Sequence, residues 1–255
     1  MIPAIVILLL FAFVAWFLIG SRSKKEISKN SVANITHLLE SEIDFFRQIS
    51  GSTAKEIFKN RVIRFMQQVR FTSVGKANHT LLDEVKIAVS ALIPLYNFPD
   101  WEYRNIREVI LYDDHFDSNY EVRSDKHIMG MVGEGNLNQT MVLSLRALRE
   151  GFESKDGNNT AIHEFVHLID KADGIIDGVP EYLLTSSMIA PWLRQIHDTI
   201  RQINEHDSHI NPYAASSDAE FLAVIAEYFF EKPTLLSRDH PQLYAILKKI
   251  FSTQN

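Results

Sequence analysis

The 255-residue sequence predicts an α+β protein: a mostly helical domain with one small sheet, behind a single N-terminal transmembrane helix. Three observations carry that prediction. An uncharged apolar run fills Ile2 to Ile19. Beyond it, apolar residues recur at three- and four-residue spacing in both halves of the chain. Between those halves, from Trp101 to Leu148, short β-type runs alternate with Asp, Asn and Gly clusters.

As a helix, the first run would be about 27 Å long at 1.5 Å per residue, close to the roughly 30 Å of a bilayer's hydrocarbon core. Arg22, Lys24 and Lys25 follow it and no basic side chain precedes it. The positive-inside bias therefore places everything after residue 20 on the cytoplasmic side of an inner or plasma membrane. A cleaved signal peptide is the rival reading, but the basic n-region and a small-residue cleavage site are both missing. Residues 1–20 thus read as a membrane anchor, 21–34 as a basic juxtamembrane linker and 35–255 as one domain, since no repeat or low-complexity stretch divides it.

Along that domain the pattern is helical from Ser28 to Arg70, with a break at Ser50-Gly51-Ser52 and a capping box offered by Thr53 and Glu56. Lys55 to Arg70 carries five basic residues, yet Ile57, Phe58, Val62, Phe65, Met66 and Val69 recur at helical spacing. The charges read as the solvated face of an amphipathic helix. A net charge of -6 likewise argues against a broad nucleic-acid surface. The next helix runs from Thr80 to Ile93, ended by Pro94. Strands are expected at Val109 to Tyr112, His127 to Val132 and Thr140 to Leu145, and helices at Thr160 to Ala172, Pro191 to His206, Ser217 to Phe230 and Pro241 to Phe251.

The first of these later helices carries the most informative residues, His163-Glu164-Phe165-Val166-His167. Positions i and i+4 lie about 40° apart around a helix, so two imidazoles can reach one cation. Glu164 then stands beside the metal, free to take a proton from water. This is the pattern of a zinc hydrolase. Asn159 and Thr160 supply caps, Ile162, Phe165, Val166 and Ile169 an apolar surface, and Gly174 a stop. The chain has no cysteine, which excludes disulfides, thiolate ligands, iron-sulfur clusters and a cysteine nucleophile. Any metal must be held by His, Asp or Glu.

Two histidines leave a catalytic zinc one protein ligand short. Asp170 is near, but its short side chain on the same helix suits support of a histidine better than ligation. A third histidine at metzincin spacing would fall where Asp173 stands. The helix from Asp218 to Phe230 carries Glu220 and Glu227 on one face at i and i+7, amid apolar neighbours where a carboxylate is costly unless paired or metal-bound. Glu220 also forms a capping box with Ser217, and Glu227 could instead partner a basic group or a ligand histidine. Those alternatives stay open on the residues alone.

The segments His163 to Asp170, Asp173-Gly174, Asp177 to Pro180 and Tyr213 to Phe230 together closely resemble the MtfA family of zinc metallopeptidases. The resemblance implies a gluzincin-like site: His163, His167 and Glu220 hold one zinc ion, Glu164 is the general base and Tyr213 stabilises the oxyanion. It implies a peptide or protein substrate and aminopeptidase activity. As an alternative function it implies binding of a cytosolic regulatory protein, a transcriptional repressor such as Mlc. The order of helices, sheet and metal helix resembles zincin architecture, in which an edge strand holds an extended substrate by its backbone. His127 to Asn136 is the candidate strand, with Gly133-Glu134-Gly135 letting another backbone come close. Leu145 departs from the family, where Trp is common, and the connection from His167 to Glu220 is shorter than in the best-known members.

Overall fold

The computed structural model describes residues 28–116, 128–133, 135–205 and 208–252. The apolar run at Ile2 to Ile19 lies outside the described residues. Among the described residues no helix is long and apolar enough to cross a membrane. Helix α1 (Lys29–Glu42) begins within the stretch read as linker, capped by the Ser28 Oγ, which accepts the Ser31 N–H at 3.2 Å. After the short α2 (Asp44–Gln48) comes α3 (Ser52–Gln68). The expected capping box at Thr53 is not used. Gly51, at φ 87°, turns the chain directly into the helix with no side-chain cap, and Glu56 pairs with Lys59 instead.

The basic face of α3 is only partly solvated. Arg61 is buried and donates to the Leu95 and Phe98 carbonyls at 2.8 and 3.1 Å. It thereby satisfies carbonyls beyond the end of α4 (Leu81–Leu92), whose own start is closed by a Thr80–Asp83 capping box.

Between α3 and α4 runs a strand that the helical pattern hid, β1 (Arg70–Ser73). It pairs in parallel with β2 (Glu108–Tyr112), which pairs in parallel with β4 (Thr140–Ser144). The edge strand β3 (Gly130–Val132) is antiparallel to β4, giving the order β1-β2-β4-β3. Met141, Val142, Leu143 and Ser144 are all buried, as expected for an inner strand covered on both faces. At Ser144 the chain turns straight into α5 (Leu145–Glu153), because the Ser144 Oγ accepts the Ala147 N–H at 3.2 Å. The strand therefore stops before Leu145.

The remaining helices are α6 (Thr160–Asp170), α7 (Ser186–Asn204), α8 (Asp218–Glu231), α9 (Pro233–Asp239) and α10 (Pro241–Ile250). Helix α7 starts ahead of Pro191, which lies inside it, and α9 is additional to the expected set. Helix α6 ends at Asp170 and continues as a 3-10 turn closed by Gly174 at φ 106°. Its inner face is fixed by Phe165, fully buried against Phe65 and Tyr103 at ring separations of 5.6 and 5.4 Å. Its other faces meet β3 and α8.

Candidate metal centre

Local sequence sets the orientation of α6. The Asn159 Oδ1 accepts the Ile162 N–H at 3.1 Å, which fixes the first turn. With Ile162, Phe165, Val166 and Ile169 buried, His163 and His167 emerge together on the side facing α8. Helix α8 starts at its own cap, the Ser217 Oγ accepting the Glu220 N–H at 3.1 Å. Only the Ser217 half of the expected capping box is seen: the Glu220 backbone N–H is capped, while its carboxylate points at α6.

Three atoms converge. His163 Nε2 lies 3.0 Å from Glu220 Oε2, His167 Nε2 lies 3.1 Å from His163 Nε2, and His167 Nε2 lies 3.4 Å from Glu220 Oε2. A tetrahedral zinc ion with bonds of about 2.0–2.1 Å holds its ligand atoms about 3.3 Å apart. The donor set and its spacing fit such an ion. Among the described residues these three are the group able to hold a metal.

Glu227 answers the other side of the same ring, its Oε1 lying 2.8 Å from His163 Nδ1. With Nδ1–H donated there, Nε2 is the nitrogen left to face a cation, which would take the place of the second ring proton. The second Glu227 oxygen accepts the Asn159 N–H. One helical turn later, Glu231 accepts from Gly157 N–H at 3.0 Å and Asn159 Nδ2 at 2.9 Å. The C-terminal half of α8 therefore holds the entry to α6 as well as one of its histidines.

Electrostatics follow the geometry. Burial opposes charging His163, but the Glu220 and Glu227 carboxylates outweigh it and raise its pKa to about 10. Burial likewise raises Glu220, yet its contacts with His163 and His167 win and hold its carboxyl well below the ordinary range. A pocket so rich in carboxylate around two imidazoles suits a divalent cation. Glu164 is buried and its pKa is raised, chiefly by desolvation. It lies under β3: a Cβ built on Gly130 would be 2.6 Å from Glu164 Cγ.

Tyr213 sits in a 3-10 turn (Pro212–Ala215) before α8, its N–H held by Asn211 Oδ1 at 3.0 Å. Its half-exposed ring stacks on His163 at 6.2 Å and 29°. Desolvation, then the Glu220 charge, pushes its hydroxyl up to about 12. The phenol thus stays a proton donor at neutral pH.

Asp170 makes no hydrogen bond to a histidine among the described residues. Its Oδ2 accepts the Gly178 N–H at 2.8 Å, while Asp170 Oδ1 and His167 Nδ1 are buried without partners. Trp192 Nε1 donates to the Gly178 carbonyl at 2.7 Å, and a Cβ on Gly178 would fall 2.3 Å from the Asp218 carbonyl oxygen. Gly178 therefore joins α6, α7 and the start of α8. Burial, opposed by the Gly178 N–H, lifts Asp170 to about 6. Asp173 accepts the Ile175 N–H, a turn role. His115 pairs with Asp114, and His197 is exposed and 3.7 Å from Asp218. His127, Glu134 and His206 lie outside the described residues.

Of the expected strand His127 to Asn136, Gly130–Val132 form β3, and Gly133 is small for a different reason than the approach of another backbone. A Cβ there would meet the Leu137 carbonyl oxygen at 2.3 Å, so the glycine accommodates its own turn. Met129 O accepts from Ser144 N–H, and Gly133 N–H donates to Thr140 O. Strand alternation then turns the N–H and C=O groups of Gly130 and Val132 to the edge away from β4, where no strand among the described residues pairs with them. Sequence reasoning missed Gly130 and Gly178. A glycine inside a strand run was the available signal for the first.

Comparison with known proteins follows the same residues. The description of the matching family is glucose-regulated metallo-peptidase M90, and the match covers residues 19–252. An uncharacterized protein of Synechocystis is 26% identical over 232 residues, 84% of this chain and 82% of the relative. A protein named Mlc titration factor A from Edwardsiella ictaluri is 28% identical over 202 residues, 73% of this chain and 75% of its own length. Its namesake from Pectobacterium atrosepticum is 28% identical over 204 residues, 74% and 75% of the two chains.

Proposed function

The chain belongs to the glucose-regulated metallo-peptidase M90 family, and on that premise we propose that it is a zinc-dependent peptidase anchored in the membrane by Ile2 to Ile19. The observation that carries the reading is the convergence of His163 Nε2, His167 Nε2 and Glu220 Oε2 within 3.0–3.4 Å of one another, with Glu164 alongside. His163, His167 and Glu220 would hold the zinc ion, which would supply Lewis acidity towards a water and a carbonyl oxygen. Glu164 takes the proton of the attacking water and delivers it to the leaving amine as the C–N bond breaks. The Tyr213 hydroxyl donates to the oxyanion that develops on the scissile carbonyl.

The substrate is an extended peptide added to the free edge of β3, where the backbone groups of Gly130 and Val132 face outward. In the proposed arrangement residues 1–20 span the membrane, 21–34 link, and the domain over 35–255 stands in the cytoplasm, as Arg22, Lys24 and Lys25 direct.

The decisive experiment joins metal analysis with turnover of a mixed peptide library by wild type and Glu164→Gln. Wild type should carry one zinc per chain and cleave; Glu164→Gln should keep zinc and lose cleavage. Peptides with free and acetylated N termini test the aminopeptidase reading, since only free termini should then be trimmed. A zinc-loaded wild type that cleaves nothing overturns the enzyme assignment.

A second reading is favoured by the name Mlc titration factor A that two relatives bear. In it the chain binds a cytosolic regulatory protein, a transcriptional repressor, and holds it at the membrane. The same Glu164→Gln variant decides: a biological effect that survives loss of cleavage assigns the function to binding.

A further inference from the structure

A glycine in the middle of a strand loses both packing and β propensity, so its presence needs a local reason. For Gly130 that reason lies directly above the metal helix. A Cβ at this position would be 2.6 Å from Glu164 Cγ, 2.7 Å from Glu164 Oε1 and 2.8 Å from Thr160 Cγ2, whereas carbon atoms in contact prefer about 3.5–4.0 Å. We propose that Gly130 is a positioning residue for the general base: the absence of its side chain sets where the Glu164 carboxylate lies relative to a peptide bound along β3. The proposal rests on the peptidase reading above.

The surroundings leave Glu164 as the group that must yield. Strand β3 is held to β4 on one side by Met129 and Gly133, and Lys171 Nζ donates to the Gly133 carbonyl at 3.3 Å. Helix α6 is held from behind by Phe165 and at its start by Asn159. Neither backbone can retreat easily, while the Glu164 side chain can rotate. It is only 5% exposed, so rotation takes it to a different place inside the same buried space.

Gly130 also presents its own N–H and C=O to the edge that no strand among the described residues covers, next to Val132, while the outward groups of Ile128 are already paired with Phe116. One residue thus touches the base on its side-chain face and the substrate on its backbone edge. The spacing between proton acceptor and scissile bond passes through it.

Gly130→Ala tests this in the zinc-loaded protein. The metal ligands are untouched, so zinc content and affinity should match wild type. Displacing a reacting group by about 1 Å costs on the order of 10²-fold, so kcat should fall by about that factor with KM within about threefold. A purely structural defect would not give that split. Independently of activity, the melting-temperature loss caused by Gly130→Ala in the metal-free protein should shrink in a Glu164→Ala background.

Wild-type kcat in Gly130→Ala, equal melting-temperature losses in the wild-type and Glu164→Ala backgrounds, or relief by Thr160→Ala in place of a change at Glu164 would each overturn the proposal while leaving the peptidase reading intact. A zinc-loaded wild type that cleaves no peptide overturns both.

Discussion

Replacing Gly178 by Ala should weaken zinc binding from a position that touches no ligand. The added Cβ would lie 2.3 Å from the Asp218 carbonyl oxygen, 2.5 Å from its carbon and 3.0 Å from the Ala219 nitrogen. All three are backbone atoms in the first turn of α8, so relief requires the helix to move by about 1 Å to restore ordinary contact. Glu220 sits two residues further on. Metal sites tolerate about 0.2 Å in ligand distance, so a shift of that size must be absorbed by the Glu220 side chain or by lost affinity. Losses among the groups that orient ligands cost about 10- to 100-fold, and we expect Gly178→Ala in that range. Gly178 also has φ 79°, which adds about 1–2 kcal/mol of backbone strain to about 1–3 kcal/mol of overpacking. Chelator competition measures the first effect, and urea unfolding of the metal-free protein the second. Wild-type zinc affinity in a folded Gly178→Ala would show that this contact does not set the spacing of α6 and α8.

Three further substitutions probe separate parts of the site. Tyr213→Phe should retain zinc and lose about 10²- to 10³-fold in kcat, the usual cost of an oxyanion donor; turnover at the wild-type rate removes Tyr213 from the chemistry. Glu227→Gln keeps one acceptor where His163 Nδ1–H and Asn159 N–H need two, so zinc affinity should fall about 10- to 100-fold, read by competition titration; unchanged affinity would make the contact dispensable. Asp170 is raised to about 6 by burial, so the folded state holds its proton more tightly than the unfolded chain. Its charge therefore costs stability above that pH, and the cost disappears as pH falls through about 4. Asp170→Asn retains an acceptor for Gly178 N–H and should make the metal-free protein more stable at about pH 8, by up to about 3 kcal/mol, with the gap closing towards pH 4. Urea unfolding at both pH values checks the sign, and a gap independent of pH refutes the burial argument.

The legible parts of this chain are those encoded within one or two helical turns. The histidines of α6 are four apart on one helix, and Asn159, the apolar stripe and Gly174 are local signals, so both element and motif could be read directly. Strand β1 could not. Phe71 and Thr72 follow a long amphipathic helix without a turn signal, and their strand conformation depends on pairing with Val109 and Ile110 far along the chain. Thr53 and Glu56 had the spacing of a capping box, but Gly51 made the turn two residues earlier, while Thr80 and Asp83 formed the box that is present. Leu145 fits a strand by composition, yet the Ser144 hydroxyl starts a helix there. The reason for Gly130 and Gly178 was hidden differently, although a glycine inside a strand run does mark the first. Each is small because of an atom brought against it by tertiary packing, and a single sequence does not say which glycines are short of space.

The choice between Glu220 and Glu227, open in the sequence, is decided by which nitrogen of one ring each can reach. The two residues are seven apart, so they lie on one face of α8 about 10.5 Å apart along its axis. An imidazole set between them meets one carboxylate at each end: Glu227 at Nδ1, 2.8 Å, and Glu220 at Nε2, 3.0 Å. His167 joins through its Nε2, on the Glu220 side. A cation shared by both histidines must therefore lie on that side, where Glu227 does not reach. What Glu227 can do is hold the Nδ1 proton, and a ring that donates there presents an unshared pair at Nε2. The seven-residue spacing makes the two acids unequal by geometry alone: one accepts the hydrogen bond from Nδ1–H, and the other is left beside the position where the two imidazole Nε2 atoms meet.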